Sequence, residues 1–449
     1  MKNNFYSLLY ILIFINLLTL SVANDDFNFD VTEIEITQNG NLVEGSKGGK
    51  VITNDGYEII GENFLYDKST NILEVTGSVK LISNIDDLII FTDKATYLKN
   101  DEIIFTEGNS KAEDLNNIIT ASNFKFDKLK NILIADKNVT YLDKINNDKI
   151  NTERAIYYKN DEIIKTEGKT NAVIDNKYNF LSENVIYKKK ISKLSSNKKS
   201  TIKDGDENIY NLDTFIYDIN KKFLKGTNVN ITSKVDEKKY DNFFFSEGFF
   251  DLNNKSFISK ETKIKLHKDI FDNEDQDPRL YGVSSQGDEK KTIVKKGIFT
   301  SCKLTDDCPP WSIKSEEIIH DKVKRDMIYK NAILKIYDVP VLYFPKFFHP
   351  DPSVERRTGF LQPQFNRSKV LGSSVYVPYF KTLGINKDYT FKPTIFEDKY
   401  ILQNEFRSKT ENSSLISDFS FLNGYKSSVD NEKKNINHFF LNYEKNLEI

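Results

Sequence analysis

Residues 95–104 read ATYLKNDEII, and residues 155–164 read AIYYKNDEII. The offset between the two stretches is 60 residues, and the TEG triplet at 106–108 returns at the same offset as 166–168. Weaker copies near 215–224 and 249–258 reduce the repeating unit to about 30 residues. A repeat of this length predicts that one small structural element is stacked on the next along the chain.

The repeat has the pattern of a β-hairpin. Aromatic residues alternate with polar ones at period two, as half-buried strands require. Asn, Asp and Lys fill the segments between the strands, for example Asp67–Asn71 and Lys99–Asp101, and these residues favour turns. Helical periodicity is nearly absent. We therefore predict an all-β fold in which residues 24 to about 350 form stacked antiparallel hairpins.

The composition excludes several classes of protein. The chain has 449 residues, a hydrophobic fraction of 39%, and 13% aromatic residues. That is too polar for a bundle of membrane helices and too aromatic for a disordered chain. A net charge of -2 argues against a nucleic-acid partner.

The first 23 residues have the pattern of a signal peptide. Lys2 precedes an apolar run from Phe5 to Leu20, and the small residues Ser21 to Ala23 precede a polar segment. This order predicts export and cleavage after Ala23, with an uncleaved anchor helix as the alternative.

A stack of this kind with one open face would have a long apolar groove, which suits an acyl chain better than a polar substrate. The inward-facing aromatic residues are the candidates to line it, although each could simply fill the core. The groove candidates are Phe64, Tyr66, Tyr97, Phe124, Phe126 and Tyr157.

The sequence offers little material for catalysis or metal binding. There are two Cys and four His in the chain. Cys302 and Cys308 could form a local disulfide in an oxidising compartment, and only His320 is near enough to suggest zinc. We expect no catalytic residues, no metal and no cofactor. An acidic loop at 267–278 could be imagined to bind calcium, but its spacing fits no known motif.

A more specific signal follows the repeats, in an ordered series of motifs. The series is GIFTSC at 297–302, PPWSIK at 309–314, VPV at 339–341, YFP at 343–345, HPDP at 349–352 and RRTGFL at 356–361.

This series resembles the LptD/OstA family of LPS-assembly proteins of the Gram-negative outer membrane. The resemblance implies an OstA-type β-jellyroll in the periplasm at 24–350 and the first strands of a transmembrane β-barrel at 351–449. It also implies transport of lipopolysaccharide and its insertion into the outer leaflet of the outer membrane through a laterally opening barrel. The implied partners are lipopolysaccharide, outer membrane lipid, an LptA-type periplasmic bridge protein and an LptE-type lipoprotein plug. Known members join the two domains by long-range disulfides, which the positions of Cys302 and Cys308 do not allow here.

After Arg357 the pattern predicts about six barrel strands: Gly359–Phe365, Ser373–Leu383, Asp388–Phe396, Ile401–Arg407, Leu415–Phe421 and Asn437–Tyr443. Pro363 and Pro378 fall inside the first two strands, where a proline removes a ladder hydrogen bond. They match prolines of the family, which implies that they weaken a lateral gate. The alternative is a proline tolerated at a bulge. The barrel start is incomplete, so we expect either the N-terminal portion of a longer product or a shortened gene.

Two other functions remain open at the sequence level. A soluble periplasmic jellyroll carrier of the bridge type fits the signal peptide and the repeats, but not the strands after Arg357. A secreted β-solenoid enzyme would need paired carboxylates in a cleft. Glu107 and Glu167 recur with the fold period, which indicates a structural role, so we expect no enzyme.

Overall fold

The computed structural model describes residues 26–83, 87–236, 239–266, 277–303, 309–350, 354, 356–361, 363–368, 372–425 and 434–446. The signal peptide, Cys308 and most of the acidic loop lie outside these ranges, so the predictions made for them stay predictions. No helix in the described part of the chain is long and apolar enough to cross a membrane.

The first sheet contains 25 strands. Their bounds are β1 Phe27–Thr37, β2 Leu42–Thr53, β3 Tyr57–Gly61, β4 Asn63–Asp67, β5 Ile72–Ser83, β6 Leu88–Leu98, β7 Ile103–Glu113, β8 Asn117–Asp127, β9 Ile132–Asp143, β10 Lys149–Tyr158, β11 Ile163–Ile174, β12 Tyr178–Glu183, β13 Ile186–Lys188, β14 Lys193–Ser196, β15 Ser200–Lys203, β16 Ile209–Leu212, β17 Thr214–Asp218, β18 Phe223–Asp236, β19 Lys239–Asp251, β20 Ser256–Lys265, β21 Arg279–Gly287, β22 Lys291–Thr300, β23 Trp311–Asp321, β24 Asp326–Ile336 and β25 Val339–Pro350.

From β1 to β22 the chain meanders, and all the strand pairings are antiparallel. Some pairs of short strands replace one long strand; for example, β3 and β4 both pair with β2 on one side and with β5 on the other. We call each long strand, or each such pair of short strands, a rung. Because the chain reverses at every rung, successive turns lie alternately at two edges of the stack.

A bulge interrupts the register near the middle of most rungs. In β5 and β7 the shifts fall between Thr76 and Val79 and between Glu107 and Ser110. Gly77 and Gly108 at these bulges have φ values of +84° and +82°, a region that glycine enters without steric cost. This explains the glycine that ends each sequence unit, because it marks the line along which the rungs bend. We call that line the crease.

Buried hydroxyl groups satisfy the backbone where the crease interrupts the ladder. The Thr106 hydroxyl accepts a hydrogen bond from the Phe124 backbone N–H at 2.8 Å and lies 2.6 Å from the Ser110 hydroxyl. Thr166 repeats the arrangement with the Val185 N–H, also at 2.8 Å. The repeated threonine of the TEG triplet is therefore a capping group for the next rung.

Replacing Thr106 by valine is expected to weaken this part of the stack by about 2 kcal/mol, because the buried Phe124 N–H loses its acceptor. Hydrogen exchange measured by mass spectrometry on the β8 peptide should show the loss as faster opening. Thr96→Val on β6 is the matched control, because Thr96 is only half-buried and a change of about 0.5 kcal/mol or less is expected. Equal effects of the two variants would contradict the capping role.

The bent rungs form two layers that pack on one another. Phe180 on β12 lies 5.3 Å from Phe215 and 5.0 Å from Tyr217, both on β17, measured between ring centroids. Strand β12 pairs with β11 and β15, whereas β17 pairs with β14 and β18, so these contacts cross the interior. The core runs as one cluster from Phe27 to Leu252.

The second sheet contains eight strands and is also antiparallel. Its path runs β26–β29–β30–β31–β32–β33, with β27 paired to β28 and β28 to β30. The bounds are β26 Gly359–Phe360, β27 Gln364–Ser368, β28 Gly372–Tyr376, β29 Tyr379–Thr382, β30 Lys387–Phe396, β31 Tyr400–Lys409, β32 Ser413–Tyr425 and β33 Lys434–Lys445.

The predicted all-β class is confirmed: stacked hairpins in the region predicted as jellyroll are followed by a separate antiparallel sheet where barrel strands were predicted. Contacts among the described residues divide the chain into one compact unit that lies within 26–317 and 333–343, and another that lies within 318–332 and 344–446.

Candidate functional site

The six predicted groove residues all point into the interior of the first unit. None of their side chains is more than 6% exposed. Phe64 and Tyr66 lie on β4, Tyr97 on β6, Phe124 and Phe126 on β8, and Tyr157 on β10. All six belong to the same half of their rungs, so the fold gathers them in one layer.

Cross-strand pairing aligns four of the six in a single row. Each member of the row is paired with the next across the sheet, and large aromatic rings alternate with Leu or Ile. The row is Tyr66, Leu73, Tyr97, Ile104, Phe126, Leu133, Tyr157, Ile164, Tyr187, Leu194, Tyr217, Leu224 and Phe250.

We call these thirteen residues the aromatic row. All of them are buried, and at about 4.8 Å per strand the row is about 58 Å long. Sequence reasoning missed Tyr187 as a member because its rung is split into two short strands with an irregular turn. Tyr217 and Phe250 were visible only as weak copies of the repeat. The row is a continuous apolar stripe along the axis of the stack.

The two edges of the stack converge opposite the crease, along a line that we call the mouth. Lys128, in a turn at one edge, is 4% exposed and pairs with Asp55 in a turn at the other edge. Its ammonium lies 4.0 Å from the ring centroid of Tyr57 and 4.6 Å from that of Tyr97. It also contacts the Glu102 carboxylate at 2.6 Å. One cation thus bridges aromatic rings and carboxylates from both edges.

A second bridge crosses the mouth further along. The Lys189 ammonium lies 3.1 Å from the carboxylate of Asp143, which is fully buried, and donates to Asn117 Oδ1 at 2.7 Å. The same Asn117 oxygen accepts a hydrogen bond from the Tyr141 hydroxyl at 2.7 Å, and the Asn117 amide donates to the Tyr157 hydroxyl at 3.3 Å. The tips of interior tyrosines therefore meet the bridging lysine.

Two further lysines repeat the crossing. Lys222 pairs with Asp175, and Lys255 lies 3.2 Å from Asp206 and 3.0 Å from Glu289. In each case the lysine belongs to a turn at one edge and the aspartate to a turn at the other. The four pairs Lys128–Asp55, Lys189–Asp143, Lys222–Asp175 and Lys255–Asp206 form what we call the mouth pairs.

Burial also perturbs an acid at the mouth. Asp148 is fully buried, and burial together with the nearby Asp175 and Asp143 carboxylates raises its pKa to about 6. One oxygen accepts the Asp175 N–H at 3.0 Å, while the other has no hydrogen-bond partner among the described residues. An ionised Asp148 is therefore an unfavourable charge in the folded protein.

This shift predicts a pH dependence with a definite sign. Because the pKa is higher in the folded than in the unfolded chain, protonation of Asp148 stabilises the fold, fully so below pH 4. That contribution, about 2–3 kcal/mol, is lost as pH rises from about 4 through 6. In Asp148→Asn this pH-dependent loss of stability should disappear. Hydrogen exchange of the β10 peptide, corrected for the intrinsic exchange rate at each pH, measures it. The control variant Asp161→Asn, in an exposed turn, should keep the wild-type dependence of stability on pH. If Asp148→Asn kept it as well, Asp148 would not be the group responsible.

The gate prolines do not lie inside strands, which corrects the predicted strand bounds. Pro363 falls between β26 and β27, and Pro378 between β28 and β29. Each predicted strand is broken at its proline, because proline has no N–H to donate to a ladder. The Pro378 carbonyl instead accepts the Leu361 N–H at 2.8 Å, so the two breaks adjoin each other.

Cys302 lies two residues after the end of β22, and its thiol is 3.6 Å from the Trp311 carbonyl. Trp311 itself packs on Phe299, with 5.9 Å between ring centroids. Cys308 is outside the described ranges, so the local disulfide stays a prediction.

Adjacent arginines of the RRTGFL motif anchor the segment before β26. Arg357 donates to both carboxylate oxygens of Asp326, the first residue of β24. Arg356 donates to Asp388 on β30 and, at 2.6 Å, to the carbonyl of Ile385. Both aspartates are buried. The motif was recognised in the sequence, but this role of its arginines was not.

The mouth pairs were also missed, although a signal for them exists. Lysine occupies the first position of five turns at one edge, at 68, 99, 128, 159 and 189. A lysine that recurs with the structural period is easily interpreted as a solvated turn residue. The structure shows that Lys128 and Lys189 instead cross the mouth to carboxylates at the other edge.

Comparison with known proteins gives one consistent result. No family model matches the chain. The LPS-assembly protein LptD of Polaromonas sp. is 26% identical over 211 residues, which is 44% of this chain and 25% of that protein. Its counterpart in Sodalis glossinidius is 33% identical over 141 residues, 31% of this chain and 18% of that protein. The LptD of Salmonella typhimurium is 29% identical over 154 residues, which is 34% of this chain and 19% of that protein. The chain therefore spans a quarter or less of the length of these curated relatives.

Proposed function

This chain belongs to the LptD family of LPS-assembly proteins, and from that premise we propose that it carries lipopolysaccharide toward the outer leaflet of the outer membrane. The jellyroll at 24–350 is assigned to the periplasm, after export by the signal peptide 1–23. The segment 351–449 is assigned to the start of an outer-membrane barrel. The chain performs no covalent chemistry in this proposal.

The aromatic row is the observation that carries the proposal. A lipid moving along the stack needs a continuous apolar surface, because each exposed methylene in water costs about 0.8 kcal/mol. The row supplies buried rings and aliphatic side chains on every rung from β4 to β19, and its only side-chain polar atoms are tyrosine hydroxyls. Tyrosine and phenylalanine alternate with Leu and Ile, so acyl chains would meet a similar environment at every rung. This supports sliding along the stack rather than binding at one point.

The breaks at Pro363 and Pro378 support an exit in the second sheet. Two adjoining interruptions of the ladder, between β26 and β27 and between β28 and β29, leave the first barrel strands with fewer backbone hydrogen bonds. A seam with fewer hydrogen bonds opens at lower cost. We assign these prolines to a lateral gate through which the lipid leaves.

The first strand offers a place for a bridging partner. β1 pairs with β2, and Ile34 and Ile36 on its surface are 53% and 60% exposed. Strand edges of this kind accept a further strand from another protein. We assign this edge to an LptA-type bridge protein and the barrel to an LptE-type lipoprotein plug. A soluble carrier of the bridge type would leave the second sheet without a role.

The test is photo-crosslinking in cells. A photoreactive amino acid at Tyr97 or Phe124 should capture lipopolysaccharide, because both side chains face the interior. Leu181 and Ile216 are suitable controls, since both are 49% exposed and lie on rungs of the same stack. Capture at Tyr97 or Phe124 of more than tenfold over the controls is expected. Equal capture at interior and exposed positions would contradict the proposal.

A further inference from the structure

We propose that the four mouth pairs are ionic latches, which hold the mouth shut at rest and open one after another as a lipid moves along the aromatic row. This inference rests on the proposed function and concerns how the same path is controlled. The latches are Lys128–Asp55, Lys189–Asp143, Lys222–Asp175 and Lys255–Asp206.

The latches join the two edges, whereas backbone hydrogen bonds join turns within one edge. At one edge the Lys99 N–H donates to the Asn71 carbonyl at 3.1 Å, and at the other the Lys144 N–H donates to the Asn116 carbonyl at 2.8 Å. Opening a latch therefore leaves both of these ladders intact. The two layers stay connected at the crease, where each rung passes from one layer to the other. The two layers are therefore joined by the continuous backbone at the crease, and by side-chain contacts at the mouth.

Lipid chemistry explains why the mouth has to open. Acyl chains can lie among the buried rings, but a large polar, anionic headgroup cannot enter that interior without losing its hydration. The headgroup would have to project through the mouth while the chains move inside. Each closed latch then blocks its way, because the lysine and the aspartate meet across the line of travel. A lysine released from its aspartate can pair with an anionic group of the passing lipid.

The latches also weaken along the stack. The exposed fraction of the lysine side chain rises from 4% at Lys128 to 15% at Lys189, 28% at Lys222 and 50% at Lys255. Ion pairs in contact with water are worth less than those shielded from it. The later latches should therefore open more easily than the first, so Lys128–Asp55 presents the largest barrier along the path.

Locking one latch tests the proposal. In a full-length chain carrying Cys302→Ser and Cys308→Ser, cysteines replace Asp175 and Lys222 and are joined by a short bis-maleimide. Photoreactive residues are placed at Tyr97, on the rungs before this latch, and at Phe250, beyond it. We expect the link to reduce capture of lipopolysaccharide at Phe250 at least tenfold while capture at Tyr97 persists.

The matched control is a cysteine pair at Glu74 and Lys94, which lie 3.0 Å apart as an ion pair on neighbouring strands rather than across the mouth. Linking it should leave capture unchanged at both positions. A second variant, Lys222→Met, removes the latch without a link and should keep or raise capture at Phe250. Persistence of capture at Phe250 after locking, or loss at both positions, would overturn the latch. Absence of capture at Tyr97 in the unlinked chain would instead contradict the transport function itself.

Discussion

Replacing Phe180 by alanine is expected to lower the free energy of unfolding of the jellyroll by about 3–5 kcal/mol. The Phe180 side chain is fully buried, and its ring contacts Phe215 and Tyr217 in the opposite layer. Strand β12, on which it lies, is held in the sheet on both sides, with Phe180 paired to Ala172 and Ile202, so the backbone cannot readily shift to fill the cavity. Hydrogen exchange of the β12 and β17 peptides should report the loss in both layers.

Leu181→Ala is the matched control for this variant. Leu181 is the next residue on the same strand, but its side chain is 49% exposed, so a change of about 0.5 kcal/mol or less is expected. Phe180→Leu should fall between the two, because it keeps most of the apolar volume. If Phe180→Ala loosened β12 and left β17 unchanged, the cross-layer packing would not hold the layers together as described.

The repeat determines a large part of this fold, because it is local. The period-two alternation within each unit sets which side chains face inward, and all six predicted groove residues are buried. The turns fall where Asn, Asp and Lys were found, and several of their last residues adopt positive φ, such as Asn71 at +59° and Asn131 at +55°. Asparagine tolerates this conformation well, which explains its recurrence there.

The mouth pairs could not be predicted in the same way. Lys222 and Asp175 are 47 residues apart, and Lys128 and Asp55 are 73 apart. Their meeting depends on how sharply every rung bends at the crease, which no pattern within one repeat specifies. The strand breaks at Pro363 and Pro378 were missed for another reason. Apolar alternation continues through each proline, so the pattern suggested one long strand where the missing N–H produces two short ones.

Removing the charge of Arg357 is the second change for which a large effect is expected. In Arg357→Met the buried carboxylate of Asp326 loses a bidentate partner, and an unpaired buried charge typically costs about 3–5 kcal/mol. Hydrogen exchange of the β24 peptide should accelerate accordingly. Arg367→Met, at an exposed position of β27, should leave β24 unchanged.

Two further variants separate the charge of Arg357 from its geometry. Arg357→Lys keeps the charge but cannot present two parallel N–H groups to Asp326, so a smaller loss than in Arg357→Met is expected. Combining Arg357→Met with Asp326→Asn removes the uncompensated charge and should recover stability relative to Arg357→Met alone. Additive losses in the double variant would mean that the two side chains do not act as a pair.

Because Arg356 turns instead to Asp388 on β30, the two neighbouring arginines hold one short segment from two strands. Arg356 shares the Asp388 carboxylate with Arg407 on β31, whose Nε donates to it at 2.8 Å, so the loss of Arg356 should cost less than the loss of Arg357.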